Sequence, residues 1–200
     1  MGVSNHVTGR QSAVVAHFVQ FFDSDDTRYE AVAGFLAHGY LSGCPLILIA
    51  RPRNSKCILD GLEQTGVPVQ REAAAGRLTV VDAAGMLRRI SRVGSPDATL
   101  FDDALGTLVT SAARDGSVYA YGEMVDILAE RGDFADAVTL EQLCNRFLLR
   151  RPLSMMCGYS AAHFVTTGSQ DALREVCCAH SDVRVESQDP LAAWLLAQAQ

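Results

Sequence analysis

The sequence predicts an α/β fold: a single three-layer domain with a mainly parallel central sheet and helices on both faces. Three observations predict it. Short, continuous apolar runs (HFVQFF, PLILIA, LTVVD, PLSMMCGYS) have the character of strands covered on both sides. They alternate with segments whose apolar residues recur at helical spacing. The chain has 200 residues, 48% apolar and 20% charged, enough to close one full core.

Residues 1–14 are polar and aperiodic and read as a mobile tail. HFVQFF (17–22) is the first strand, and Asp23 or Ser24 is placed to cap a helix starting near Asp25 or Asp26. In that helix Tyr29, Val32, Ala33, Leu36 and Tyr40 share a face, and Gly43 closes it. PLILIA (45–50) is a buried strand, followed by a helix over about 54–65 that Gly66 ends. Val67-Pro68-Val69 reads as a turn or a short edge strand. LTVVD (78–82) is the next strand, and SRVGSPD (91–97) the clearest loop. A helix follows from about Thr99 to Arg114, with Asp115-Gly116 as its stop.

SVYAYGEM (117–124) is a strand that breaks at Gly122 and delivers Glu123. Residues 131–138 read as a second loop, before LEQLCNRFLL with Leu140, Leu143, Phe147 and Leu148 at helical spacing. PLSMMCGYS (152–160) is another buried strand. A helix around 170–179, a strand VRVE and a short amphipathic helix over 189–200 complete the chain. Neither a repeat nor a low-complexity linker interrupts it.

Charge and composition narrow the function. The formal net charge is −6 and Lys56 is the only lysine, which argues against a nucleic-acid surface. No apolar run reaches the length of a bilayer span, and residues 1–18 lack the design of a secretory signal. The six cysteines have no CxxC spacing and read as reduced, mostly core thiols, so the expected location is cytoplasmic.

Ligands of parallel sheets bind outside the carboxyl ends of the strands. That rule selects Phe22 to Asp26, Arg51, Asp82, Tyr121 to Met124 and Gly158 to Ser160. The turn Asp23-Ser24-Asp25-Asp26 lacks the glycines and lysine of a phosphate cradle, and its carboxylates would repel phosphate. It caps a helix or faces a ligand or partner. Glu123 is a ligand anchor, a general base or the partner of an arginine. Cys157 and His163 suggest a nucleophile and base, but packing roles suit both better. His17 is either hydrogen-bonded inside the fold or in contact with a ligand. Cys177, Cys178 and His180 make a poor chelate, so no metal is expected.

Taken in order, HFVQFF with its acidic turn, LSGCPLILIARP, GRLTVVDA, VYAYGEMVDIL, LEQLCNRF and CGYSAAHF resemble the MEDS domain, the sensory domain named for methanogens, methylotrophs and the dichloromethane-responsive repressor. The resemblance covers roughly residues 15 to 186, and the sensory domain it implies is placed at 15–188. It implies a fold similar to RecA/KaiC ATPases without a working phosphate loop, and a role in prokaryotic signal transduction by sensing simple hydrocarbon derivatives. It transfers no catalytic residue and no cofactor. The chain is then expected to be a stand-alone, non-enzymatic sensor. A small organic ligand would bind near His17, Phe22, Asp23, Arg51, Tyr121, Glu123 and Tyr159. A histidine kinase or transcription regulator would be the protein partner, and a homodimer is the default assembly. The alternatives are a divergent nucleotide or small-molecule hydrolase using Glu123, and a purely protein-binding module.

Overall fold

In the computed structural model, residues 16–112, 117–165 and 169–185 are described. The expected tail (1–14) and terminal helix (189–200) lie outside them. Strand β1 (Ala16–Phe22) runs through Ser24 into helix α1 (Asp25–Leu41). Then come β2 (Leu46–Ala50), α2 (Pro52–Gln64), α3 (Val69–Ala74), β3 (Leu78–Asp82) and α4 (Ala83–Arg89). A hairpin of β4 (Ser91–Arg92) and β5 (Ser95–Pro96) precedes α5 (Ala98–Ala112). The chain continues as β6 (Val118–Gly122), α6 (Met124–Glu130), α7 (Phe134–Leu148) and β7 (Leu153–Ser160). A 3-10 turn (Ala161–Phe164), α8 (Gln170–Cys178) and β8 (Asp182–Arg184) follow.

The described residues form a six-stranded sheet in the order β3-β2-β6-β7-β1-β8, with every neighbouring pair parallel. The α/β architecture expected from the sequence is therefore present, with helices on both faces. The alternation of side chains sorts the core. Phe18, Phe22, Leu46, Leu48, Tyr121 and Met156 pack under α1 and α2. Val19, Phe21, Ile47, Ile49, Cys157 and Tyr159 pack against the layer that includes α5, α6 and α7. All five residues of β2 are buried, and each Leu or Ile there contributes roughly 1.5–3 kcal/mol of transfer free energy. This strand has no solvent face, which is why its sequence does not alternate.

Three segments differ from the sequence reading. SRVGSPD is a hairpin whose two-residue turn, Val93-Gly94, has both φ values positive (54° and 96°). That geometry matches the twist of paired strands, but Val93 masks the usual Asn-Gly or Gly-Gly signal. Residues after Pro68 form α3 and not an edge strand, because proline suits a helix start. Helix α6 begins directly at Met124, Gly132 (φ 80°) ends it, and α7 starts at Phe134 inside the expected loop. Six of the seven residues of α6 are buried, so it carries no amphipathic pattern to read.

Candidate functional site

The β1–α1 turn resolves first. The Ser24 hydroxyl accepts a hydrogen bond from the Thr27 N–H at 3.2 Å, making Ser24 the N-cap of α1. Asp25 and Asp26 follow in the first turn, where they oppose the positive end of the helix. Asp23, Asp25 and Asp26 are all exposed. Asp82 caps α4 in the same way, accepting from the N–H groups of Ala84 and Gly85.

A buried charge network occupies the carboxyl ends of β2, β6 and β7. Glu123, fully buried, leaves β6 as the residue before α6. Its Oε2 accepts the Arg51 backbone N–H at 2.9 Å, and its Oε1 accepts Arg51 Nη1 at 2.7 Å and Arg28 Nη1 at 3.3 Å. Asn54 Nδ2 donates to the same Oε1, while Asn54 Oδ1 receives the Tyr29 hydroxyl at 3.0 Å.

Asp126 lies one helical turn on, and its Oδ2 meets Arg51 Nη1 at 2.6 Å and Arg28 Nη1 at 3.5 Å. Its Oδ1 accepts the Ser160 N–H at 2.6 Å and stands 3.2 Å from His163 Nε2. Burial alone would raise the Asp126 pKa. The His163 hydrogen bond, the Arg28 charge, the Ser160 N–H and Arg51 outweigh it and hold the carboxyl at about 2.

Two arginines thus face two buried carboxylates. Arg28 also donates to the Tyr121 hydroxyl at 3.4 Å and lies over the Phe22 ring, 5.2 Å from its centroid. Burial lifts the Tyr121 phenol far above its ordinary range; the Arg28 charge opposes it, and the Glu123 and Asp126 charges add to the rise. Arg51 is the outer member: its side chain is 26% exposed and its Nη2 reaches the exposed Glu130 at 2.7 Å. Every oxygen of Glu123 is engaged, so the arrangement holds a charge in place and presents no open carboxylate to a substrate.

The structure brings Phe22, Arg51, Tyr121 and Glu123 together. It places His17 and Tyr159 on the opposite face of the sheet, where the Tyr159 hydroxyl donates to Glu141 at 2.9 Å. Tyr121 and Tyr159 therefore do not wall one cavity. Cys157 and His163 part company as well, since Cys157 Sγ lies 3.3 Å from His17 Nε2 and His163 pairs with Asp126.

Arg28, Asn54 and Asp126 were missed by sequence reasoning. A signal existed for two of them: Arg28 falls on the stripe of Val32 and Leu36, and Asp126 sits three residues after Glu123. A charge on an apolar stripe demands a buried partner.

An open groove of about 540 Å³ lies between α1 and the sheet, toward the amino-terminal halves of β1, β6 and β7, and none of the network's side chains lines it. Phe18, Gly34, Phe35, Tyr119, Met156 and Arg184 are among its walls. Phe35 packs on Phe18 and Tyr119 with ring centroids 5.3 and 5.1 Å apart. Arg184 stacks over Phe18 at 3.9 Å. The size and the mixed wall, with three aromatic rings and a few polar groups, suit a small organic molecule.

Among the described residues no helix is long and apolar enough to cross a membrane. The family model described as MEthanogen/methylotroph, DcmR Sensory domain (MEDS) matches residues 16–181, well over half of the chain. No curated protein matches the sequence.

Proposed function

The chain belongs to the MEDS family of sensory domains, and we propose that it is a non-catalytic sensor that binds a small organic ligand and passes its state to a separate protein. One observation carries this reading: α1 belongs both to the closed charge network, through Arg28, and to the open groove, through Gly34 and Phe35. A ligand seated against Phe35 bears on the helix that positions Arg28. Its differential affinity for two placements of α1 would shift their populations. The exposed acidic start of the same helix is the surface offered to a partner, a histidine kinase or transcription regulator being the expected class. The saturated oxygens of Glu123 and the acidic turn support the absence of nucleotide chemistry.

Position 34 gives a clean test, because a β-carbon there meets no atom within 4 Å. Gly34→Leu fills the groove without displacing the core, and replacing a mid-helix glycine favours the helix. Small alcohols, halocarbons and ATP serve as probes in a thermal-shift titration. At least one organic probe is expected to raise the melting temperature of the wild type and to lose that effect in Gly34→Leu. A shift that Gly34→Leu leaves intact would move the seat elsewhere. Stabilisation by ATP that Glu123→Gln removes would favour the hydrolase instead.

A further inference from the structure

We propose a transition-metal site of the zinc class on the face of the sheet opposite the charge network, built from His17, Glu141, Cys157 and His180. The residues come from β1, α7, β7 and the segment after α8. One ligand atom from each of the four lies within 4.8 Å of those of the other three. His17 Nε2 is 3.3 Å from both Cys157 Sγ and Glu141 Oε2, and His180 Nε2 is 3.2 Å from Glu141 Oε2. A tetrahedral ion with bonds of about 2.0–2.3 Å needs ligand atoms roughly 3.3–3.8 Å apart, so the cage is already near the required size.

The hydrogen bonds around the cage point to an ion at its centre. Asn145 Nδ2 donates to the Ala179 carbonyl, which leaves Asn145 Oδ1 to accept the His17 Nδ1–H at 2.9 Å. His180 Nδ1–H donates to the Val176 carbonyl at 2.6 Å. With Nδ1 donating, each ring directs its Nε2 atom toward the other two donors, where its lone pair would meet an ion. The Tyr159 hydroxyl holds Glu141 Oε1, fixing the carboxylate and freeing Oε2. Metal-bound imidazoles and carboxylates are oriented by outer partners of this kind.

Glu141 Oε2 and His180 Nε2 are buried and have no hydrogen-bond partner, despite lying close together. An imidazolium–carboxylate pair would align its N–H with the oxygen; these two atoms are not so aligned. A divalent cation satisfies both at once. Glutamate and a thiolate would supply two negative charges, so the loaded site is neutral, as a buried site must be. Binding breaks the Cys157 S–H bond, forms the metal–sulfur bond and releases the proton to solvent. Nitrogen and sulfur donors exclude magnesium and calcium as the natural occupant.

With four protein ligands and full burial the site is closed, which makes it structural. It ties the first strand of the sheet to α7, β7 and the end of α8. Cys177 and Cys178 are not part of the cluster that includes His180; burial pushes the Cys177 thiol up to about 11.

The test uses the full chain. Purified without chelator, it is expected to carry about one zinc per chain by plasma emission spectrometry. After removal of zinc, Co(II) alone is titrated as a spectroscopic probe. Tetrahedral ligand-field bands and one thiolate-to-metal charge-transfer band are expected. Cys157→Ser should abolish the charge-transfer band, and Asn145→Ala should weaken Co(II) about 10–100-fold. Cys177→Ser and Cys178→Ser should change neither spectrum nor affinity. The wild-type spectrum decides the matter even if a variant fails to fold. A metal-free preparation whose Co(II) spectrum stays that of the hexaaqua ion would overturn the proposal, leaving a bare His–Glu–His cluster. A charge-transfer band that persists in Cys157→Ser would also overturn this ligand set.

Discussion

A β-carbon on residue 158 would lie 2.5 Å from the Tyr121 hydroxyl oxygen, so Gly158 on β7 exists to let the Tyr121 ring pass. The segments VYAYGEMVDIL and CGYSAAHF are thus joined as one steric unit. Gly158→Ala should destabilise the fold by about 1–3 kcal/mol through overpacking. Tyr121→Phe in the same chain should recover part of that loss, because it removes the closest atom but leaves ring carbons at 2.7 and 2.9 Å. Urea denaturation of the two single variants and the double variant measures the coupling. Additive losses would mean that the ring does not fill that space.

Glu123 and Arg28 should be strongly coupled. Removing one member of a buried ion pair costs about 3–5 kcal/mol, chiefly by stranding the other charge. Glu123→Gln is expected in that range, since Arg28 and Arg51 would then share one buried carboxylate. Arg28→Met added to Glu123→Gln should cost clearly less than the two single changes summed, with an interaction of at least about 1 kcal/mol.

Asp126 sets an acid limit. Its folded value of about 2 lies below the ordinary 3.8, so the ionised form is favoured by folding. The stability this contributes is present in full above the ordinary value and is lost as pH falls through about 2. The shift corresponds to roughly 2 kcal/mol. Between pH 4 and 2 the wild type should lose stability more steeply than Asp126→Asn, whose side chain still faces Arg28, Arg51 and His163 but no longer titrates. Parallel slopes would refute the assignment.

Ser24→Ala should cost about 1 kcal/mol, the usual worth of an N-cap hydroxyl. Asp25→Asn and Asp26→Asn should each cost about 0.3–1 kcal/mol at low salt and less at high salt, because they act through the helix end. Melting curves at two ionic strengths separate the two effects.

Strands β1, β2, β3, β6 and β7 were legible because each is a short apolar run, and β2, β6 and β7 are nearly continuous ones. Helices α4 and α6 were not: each is only seven residues long, and in α6 six of the seven are buried, so it displays no periodicity. Glu123 could be found by its position at a strand end. Arg28 could not be placed with it without knowing that α1 crosses over β6. The His17, Glu141, Cys157 and His180 cluster is the least legible feature. Its members are spread from one end of the described chain to the other and share no spacing, so only the sheet order brings them together.

That sheet order also governs how the protein comes into being. β1 is synthesised first, yet its two neighbours, β7 and β8, are among the last segments made, and Ala16 must wait for Ser154. Such distant pairing folds slowly. Until then HFVQFF is a strand with both edges open, without proline or formal charge, the composition that invites association between chains. A truncation ahead of β7 would therefore yield an aggregating fragment and not a smaller domain. The window between ribosome and native sheet is where this sequence most needs a chaperone.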